Sequence, residues 1–162
     1  MNQDLCENAE GSSLIDQKSK HLCWHLNNLE ETIALGELIS KKLGNSKLLL
    51  LEGPLGAGKT SLVKGIAKGL SITEPITSPT FALSQHYPSG TPPLIHMDLY
   101  RIDNFLVANE LFLQEEETAV LLKALMVIEW PERLTINLPD ASYVKIKYHS
   151  KHGRIVKLKI GQ

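Results

Sequence analysis

Residues 48–70 read LLLLEGPLGAGKTSLVKGIAKGL, and no other stretch restricts the fold of this chain as strongly. A short continuous apolar run has the length and character of a strand buried on both faces. It ends at a glycine-studded loop. Beyond the loop, Leu62, Val63, Ile66, Ala67 and Leu70 recur at the spacing of one helix face. The segment therefore predicts a buried strand, a tight turn and an amphipathic helix in immediate succession, which is the opening unit of a layered α/β fold.

The turn itself has a chemical reading. Gly53, Pro54, Leu55, Gly56, Ala57, Gly58, Lys59 and Thr60 match GxxxxGK[ST] at every required position. Glycines let successive backbone N–H groups converge on one anion without a Cβ in the way. The following helix adds its N-terminal N–H groups and the positive end of its dipole. Lys59 can reach β- and γ-phosphates, and the Thr60 hydroxyl is a hard oxygen ligand suited to Mg²⁺. Without the flanking strand and helix this pattern recurs by chance as a glycine-rich turn; with them, a phosphate cradle is the expectation.

The rest of the chain alternates strands and helices. HLCWHL (21–26) alternates weakly and reads as a short strand. In NNLEETIALGELISKKL, Asn28 stands three residues before Glu31 in a capping-box arrangement, ahead of a stripe of Ile33, Leu35, Ile39 and Leu43. FALSQHY (81–87) and LIHMDLY (94–100) flank PSGTPP, whose turn chemistry predicts an antiparallel pair. Residues 107–124 read as a helix with Glu115, Glu116 and Glu117 on its solvated face. ALMVIEW (124–130) reads as a further buried strand. YVKIKYH and RIVKLKI alternate strictly around SKHG and predict a closing hairpin, its lysines on the solvated face. The whole is expected to be an α/β, P-loop NTPase-like layered fold with a central, mostly parallel sheet and an antiparallel C-terminal hairpin. It forms a single domain over residues 21–162, preceded by a disordered polar tail over residues 1–20.

Two predicted strands end in carboxylates: LIHMD at Asp98 and MVIE at Glu129. In open α/β sheets ligands sit beyond the carboxyl ends of the strands, so both acids can face the phosphates. There an aspartate holds Mg²⁺ directly or through water, and a glutamate binds metal or orients the attacking water. Taken singly, Asp98 has an equal claim to be a turn cap, and Glu129 to be a surface acid beside Arg133. His96 reads first as a half-buried structural histidine, and Trp130 equally as a core aromatic.

The formal net charge of −1 gives no global field that would draw the chain to nucleic acid or an anionic membrane. Cys6 and Cys23 lack CxxC spacing, so neither a zinc site nor a disulfide framework is expected. With no apolar run of membrane-span length and no signal-peptide pattern at the polar start, the cytoplasm is the expected compartment.

The set GPLGAGKTS, TSPTF, HMDLYR and VIEWPERL, in this order and spacing, resembles the TsaE family, the bacterial ATPases of tRNA threonylcarbamoyladenosine biosynthesis. The resemblance runs from about residue 29 to 155. It implies an ATP/ADP- and Mg²⁺-dependent hydrolase acting with a TsaB–TsaD threonylcarbamoyl-transfer complex, meeting tRNA only through those partners. Lys59 would be the phosphate lysine, Thr60 the magnesium threonine, and Asp98 the Walker B-type acid. Glu129 would serve the metal site or the attacking water. Nucleotide contacts would extend to Ser61. Ser78 and Thr80 would belong to a switch-like loop, and Trp130 would lie beside the nucleotide. The family's adenine pocket would fall near Leu29 to Thr32, closed by the late hairpin near His152. Pro54 stands where many members carry an acid, and NELF (109–112) where many read EELG. A small-molecule P-loop kinase and a nucleotide-dependent binding switch are the competing readings. The first lacks lid arginines between residues 101 and 133; the second lacks NKxD, and also DxxG, since Asp98 is followed by Leu-Tyr-Arg.

Overall fold

The computed structural model describes residues 14–15, 21–149 and 152–161. Its elements in chain order are β1 (Leu14–Ile15), β2 (His21–Leu26), α1 (Leu29–Lys42), β3 (Leu48–Glu52), α2 (Lys59–Gly69), β4 (Ser84–Tyr87), β5 (Leu94–Asp98), α3 (Phe105–Leu122), β6 (Leu125–Glu129), β7 (Ser142–Tyr148) and β8 (Arg154–Lys159). A 3-10 turn, Pro131–Arg133, follows β6. The strands form one eight-stranded sheet in the order β1-β2-β8-β7-β3-β6-β5-β4.

The fold is mixed α/β. The central strands β7, β3, β6 and β5 run parallel, as βα alternation requires. The expectation of a mostly parallel sheet holds only for this centre. β1–β2, β2–β8, β7–β8 and β4–β5 all pair antiparallel. The C-terminal hairpin does more than close the sheet, because β7 joins β3 in parallel while β8 accepts β2. The tail expected over residues 1–20 lies outside the described residues except for Leu14–Ile15. Residues 150 and 151 lie outside them as well. Cys23, on β2, is disulfide-bonded, where no disulfide framework was expected.

Side-chain alternation divides the interior into two layers. Leu49 and Leu51 of β3, Leu125 and Val127 of β6, and Val144 and Ile146 of β7 pack with α1 and α2. Leu50, Ile95, Met97, Met126 and Ile128 pack on the other face with Ala108, Phe112 and Ala119 of α3. Phe112, in the NELF segment, is fully buried. A strand with leucine at its first four positions is thus used on both faces.

The capping box at α1 forms with a shift of one residue. Asn28 Oδ1 accepts from the Glu31 N–H at 2.8 Å, but Glu31 Oε2 reaches back to the N–H of Asn27 at 2.8 Å. Two glycines allow α1 and α2 to cross closely. A Cβ on Gly36 would lie 2.2 Å from Leu62 O, and one on Gly65 would lie 2.0 Å from Ile33 O. Both obstacles are helix backbone, which cannot move aside as a side-chain end can. Gly65→Ala should therefore lower stability by about 1–3 kcal/mol despite alanine's better helix propensity. Urea unfolding of the variant, with an unchanged slope and a lower midpoint, checks this.

Candidate functional site

Because β3, β6 and β5 are parallel neighbours, their carboxyl ends emerge along one edge. Asp98 and Glu129 are register partners on β5 and β6, and both share the parity of residues facing α2. The loop after β3 turns at this edge into the first residues of α2. A cavity of about 310 Å³ opens there, lined by Leu55, Gly56, Gly58, Lys59, Thr60, Ser61, Ser78, Thr80, Asp98, Tyr100, Glu129 and Trp130.

The loop takes backbone conformations that require glycine. Gly56 and Gly58 have φ of 76° and 101°, in the left-handed region that other residues rarely enter. Gly58 is constrained a second time, since a Cβ there would sit 2.3 Å from Arg154 Nη1. Two bonds from the C-terminal hairpin brace the loop. Tyr148 Oη donates to Leu55 O at 2.9 Å, and Arg154 Nη1 donates to Ala57 O at 3.1 Å. Ala57 N–H closes the turn onto Pro54 O at 3.1 Å.

Lys59 is buried, and its ammonium donates to the carbonyls of Gly53 and Pro54 at 2.7 and 3.1 Å. It also lies 3.9 Å from the centre of the Trp130 ring, a cation–π arrangement. Among the described residues no carboxylate comes within ion-pair distance of it. Burial pushes its pKa below the ordinary lysine value, opposed by the charges of Glu129, Glu132 and Asp98. Trp130 itself has φ of 62°, a strained conformation for an aromatic residue. It turns the chain sharply out of β6, and its ring packs at 4.8 Å on that of Tyr100.

Both acids are buried and hydrogen-bonded. Glu129 Oε1 accepts from the Thr60 hydroxyl at 2.8 Å and meets His96 Nε2 at 2.9 Å. Asp98 Oδ2 accepts from Ser78 and Thr80 hydroxyls at 3.0 and 2.5 Å, and its Oδ1 accepts from the Tyr100 N–H at 3.0 Å. Asp98 is therefore also a turn cap, while Glu129 is no surface acid. Arg133, its expected neighbour, instead pairs with Asp103 at 2.9 Å.

Most of the residues singled out in the sequence line this one cavity. Gly53, Pro54 and Ala57 of the loop are not in its lining, and neither are Thr32 and His152. Thr32 is fully buried behind Gly58, its hydroxyl donating to Asn28 O at 3.0 Å. His152 is exposed, and its carbonyl accepts from His25 Nε2 at 3.0 Å. Arg101 stacks its guanidinium 4.2 Å from the Phe81 ring. Sequence reasoning missed Tyr148 and Arg154 as loop braces, although both share the parity of buried Val144, Ile146, Val156 and Leu158. It also missed the pairing of His96 with Glu129, which follows from both residues lying on the α2 face of neighbouring strands.

The fold and this edge define a class: a mixed α/β protein that turns a braced, glycine-rich loop toward two buried carboxylates. The family model described as "Threonylcarbamoyl adenosine biosynthesis protein TsaE" matches residues 26–156. A Nostoc sp. protein named tRNA threonylcarbamoyladenosine biosynthesis protein TsaE is 45% identical over 120 residues, spanning 74% of this chain and 72% of its own. A Bacillus subtilis protein of the same name is 38% identical over 121 residues, spanning 75% and 73%. The crystal structure of B. subtilis YdiB superposes with a TM-score of 0.64 at 26% identity, covering 94% of this chain and 90% of that one. The chain belongs to the TsaE family.

The braces can be tested apart from any ligand. Tyr148→Phe should cost about 0.5–1.5 kcal/mol, the ordinary worth of one hydrogen bond. Hydrogen exchange should quicken at the amides of Gly56 and Ala57 and stay unchanged in β3 and β6. Mass-spectrometric exchange mapping reads both regions at once.

Proposed function

We propose that the chain is a P-loop ATPase that hydrolyses ATP to ADP and phosphate with Mg²⁺. In this reading it serves formation of the threonylcarbamoyl group on the adenosine beside the anticodon, in tRNAs reading codons that begin with A. It acts with TsaB- and TsaD-type partners. The observation that carries the ATPase reading is Lys59, a buried ammonium without an ionic partner among the described residues, set under a loop that only glycines can form. A desolvated cation is costly unless an anion neutralises it. The residues present fit a nucleotide and its metal. The loop presents backbone amides to phosphate, and Thr60, Asp98 and Glu129 are hard oxygen donors, few enough to leave sites for phosphate oxygens and water. Bound there, Mg²⁺ would neutralise charge on the terminal phosphates.

The chain's own groups divide the work as follows. The loop and the start of α2 bind and orient the phosphates, and Lys59 draws charge toward itself. Thr60 keeps its hydroxyl hydrogen on Glu129, which leaves the oxygen's lone pairs directed away from that bond toward a ligand. Asp98 holds Ser78 and Thr80 at the mouth of the site and offers an acceptor for water. Trp130 and Tyr100 cover one wall and limit solvent access. The near-neutral charge of the chain supports contact with tRNA through partners rather than directly. Among the described residues no helix is long and apolar enough to cross a membrane, which fits a proposed cytoplasmic site of action. The polar tail at 1–20 and the single domain at 21–162 remain part of this proposal, as does an adenine pocket involving Thr32 and His152.

Lys59→Ala should abolish most nucleotide binding. Wild type at a hundred times its dissociation constant of ADP gains about 2.7 kcal/mol of stability by mass action, and the variant should gain little; thermal unfolding with and without ADP measures both. Asp98→Asn and Glu129→Gln keep the cradle, so ADP affinity should hold while turnover falls about 100-fold. The test of the whole reading is phosphate release from ATP by the purified chain, alone and with a TsaB–TsaD pair, together with nucleoside mass spectrometry of tRNA from depleted cells. Release should rise severalfold with the partners, and depleted cells should lack the modified adenosine. No release under either condition would defeat the ATPase assignment, and fully modified tRNA would defeat the assigned pathway.

A further inference from the structure

We infer that His96 is a positioning residue: it holds the Glu129 carboxylate in the orientation that keeps Oε1 on the Thr60 hydroxyl. This rests on the proposed ATPase reading, in which Thr60 and Glu129 belong to the metal and phosphate site. The His96 ring is fully buried at the middle of β5, on the α2 face of the sheet between Leu94 and Asp98. Its Nε2 lies 2.9 Å from Glu129 Oε1, the same oxygen that takes the Thr60 hydroxyl at 2.8 Å. A carboxylate oxygen accepts, so the imidazole donates, and the hydrogen between them sits on Nε2. Both hydrogen bonds at Glu129 then converge on one oxygen, and together they fix the rotation of the carboxyl group.

Packing alone does not account for a histidine here. Its Nδ1 is buried and has no hydrogen-bond partner among the described residues, an unmet polar atom that leucine would not bring. What histidine supplies and leucine lacks is the one N–H on Glu129. That bond orients a side chain which in turn orients a ligand-bearing hydroxyl, the relation by which outer groups tune a metal site. Its loss leaves the loop, Lys59 and the helix amides in place, so turnover should suffer and nucleotide affinity should not.

The test compares His96→Leu with His96→Gln, whose amide can extend an N–H toward Glu129. ADP affinity is read by titration calorimetry and turnover by phosphate release from ATP with Mg²⁺. His96→Leu should bind ADP within about threefold of wild type and lose about 10- to 100-fold in kcat, the usual span for groups of this kind. His96→Gln should recover most of the loss. Equal turnover in His96→Leu and wild type would overturn the inference, as would a Gln variant no better than Leu. A wild-type chain that hydrolyses no ATP would instead sink the ATPase reading. Should the buried substitution prevent folding, nitrogen-15 spectra of the wild-type histidines decide. A hydrogen on Nε2 upholds the role, and a ring protonated at Nδ1 alone overturns it whatever the variants do.

Discussion

β3 must be buried on both faces and bonded along both edges, and the other elements are placed by that demand. Its leucines alternate between the α1/α2 layer and the α3 layer, so neither face can be left to solvent. Its backbone groups are paired by β6 on one side and β7 on the other, both parallel to it. Parallel pairing needs crossovers, and the crossovers are what fill the two layers. A further consequence is chemical. Parallel strands end on the same side, so residues far apart in sequence (the loop after β3, Asp98 after β5, Glu129 after β6) come together at one edge without any long-range pairing signal of their own.

At that edge three buried charged groups are held by different means. Lys59 takes two loop carbonyls and an aromatic face; Asp98 takes two hydroxyls and an amide; Glu129 takes a hydroxyl and an imidazole. None pairs directly with another. The acids act on Lys59 only through space, holding its proton against the desolvation that would remove it. A direct Lys–Asp or Lys–Glu bridge would satisfy the charges among themselves and close the cavity. Keeping them apart preserves an electropositive floor beside acidic walls, an arrangement suited to a ligand that is itself an anion accompanied by a cation.

Local signals carried much of this into the sequence. The glycine loop, the helix stripe of Leu62, Val63, Ile66, Ala67 and Leu70, the Asn28 cap and the β4–β5 turn depend on neighbours within a few residues, and all are seen in the structure. Asp98 and Glu129 were legible because a strand period and a carboxylate at its end are also local facts. What escaped depends on strand order. No periodicity tells that β7 lies against β3, or that β8 sits between β7 and β2, so the hairpin read as a closing element with a solvated face. Its bracing of the loop by Tyr148 and Arg154 went unseen for the same reason. His96 was read as half-buried because its own strand alternates, whereas its full burial comes from β6 beside it and the packed face above. The adenine-pocket positions drawn from the resemblance, Thr32 and His152, lack a tight motif to set their register, and neither lines the cavity.

The two walls of the cavity also differ in how firmly they are fixed. The glycine loop is tied to β8 and the end of β7, and stands on the buried start of α2. In the opposite segment, residues 77–81, Pro79 is buried, but Phe81 is 84% exposed and its ring meets only a surface guanidinium in the aromatic and cation–π contacts described. Its main hold on the site is the pair of hydroxyl bonds from Ser78 and Thr80 to Asp98 Oδ2. Most of this segment is more exposed than the loop and the start of α2, the kind of region that opens at lower free-energy cost. The anchor is one carboxylate oxygen, and it cannot serve two donors and an incoming water or cation in full. A ligand on Oδ2 would compete with Ser78 and Thr80, whereas Oδ1, which takes only the Tyr100 N–H among the described residues, keeps a lone pair to offer.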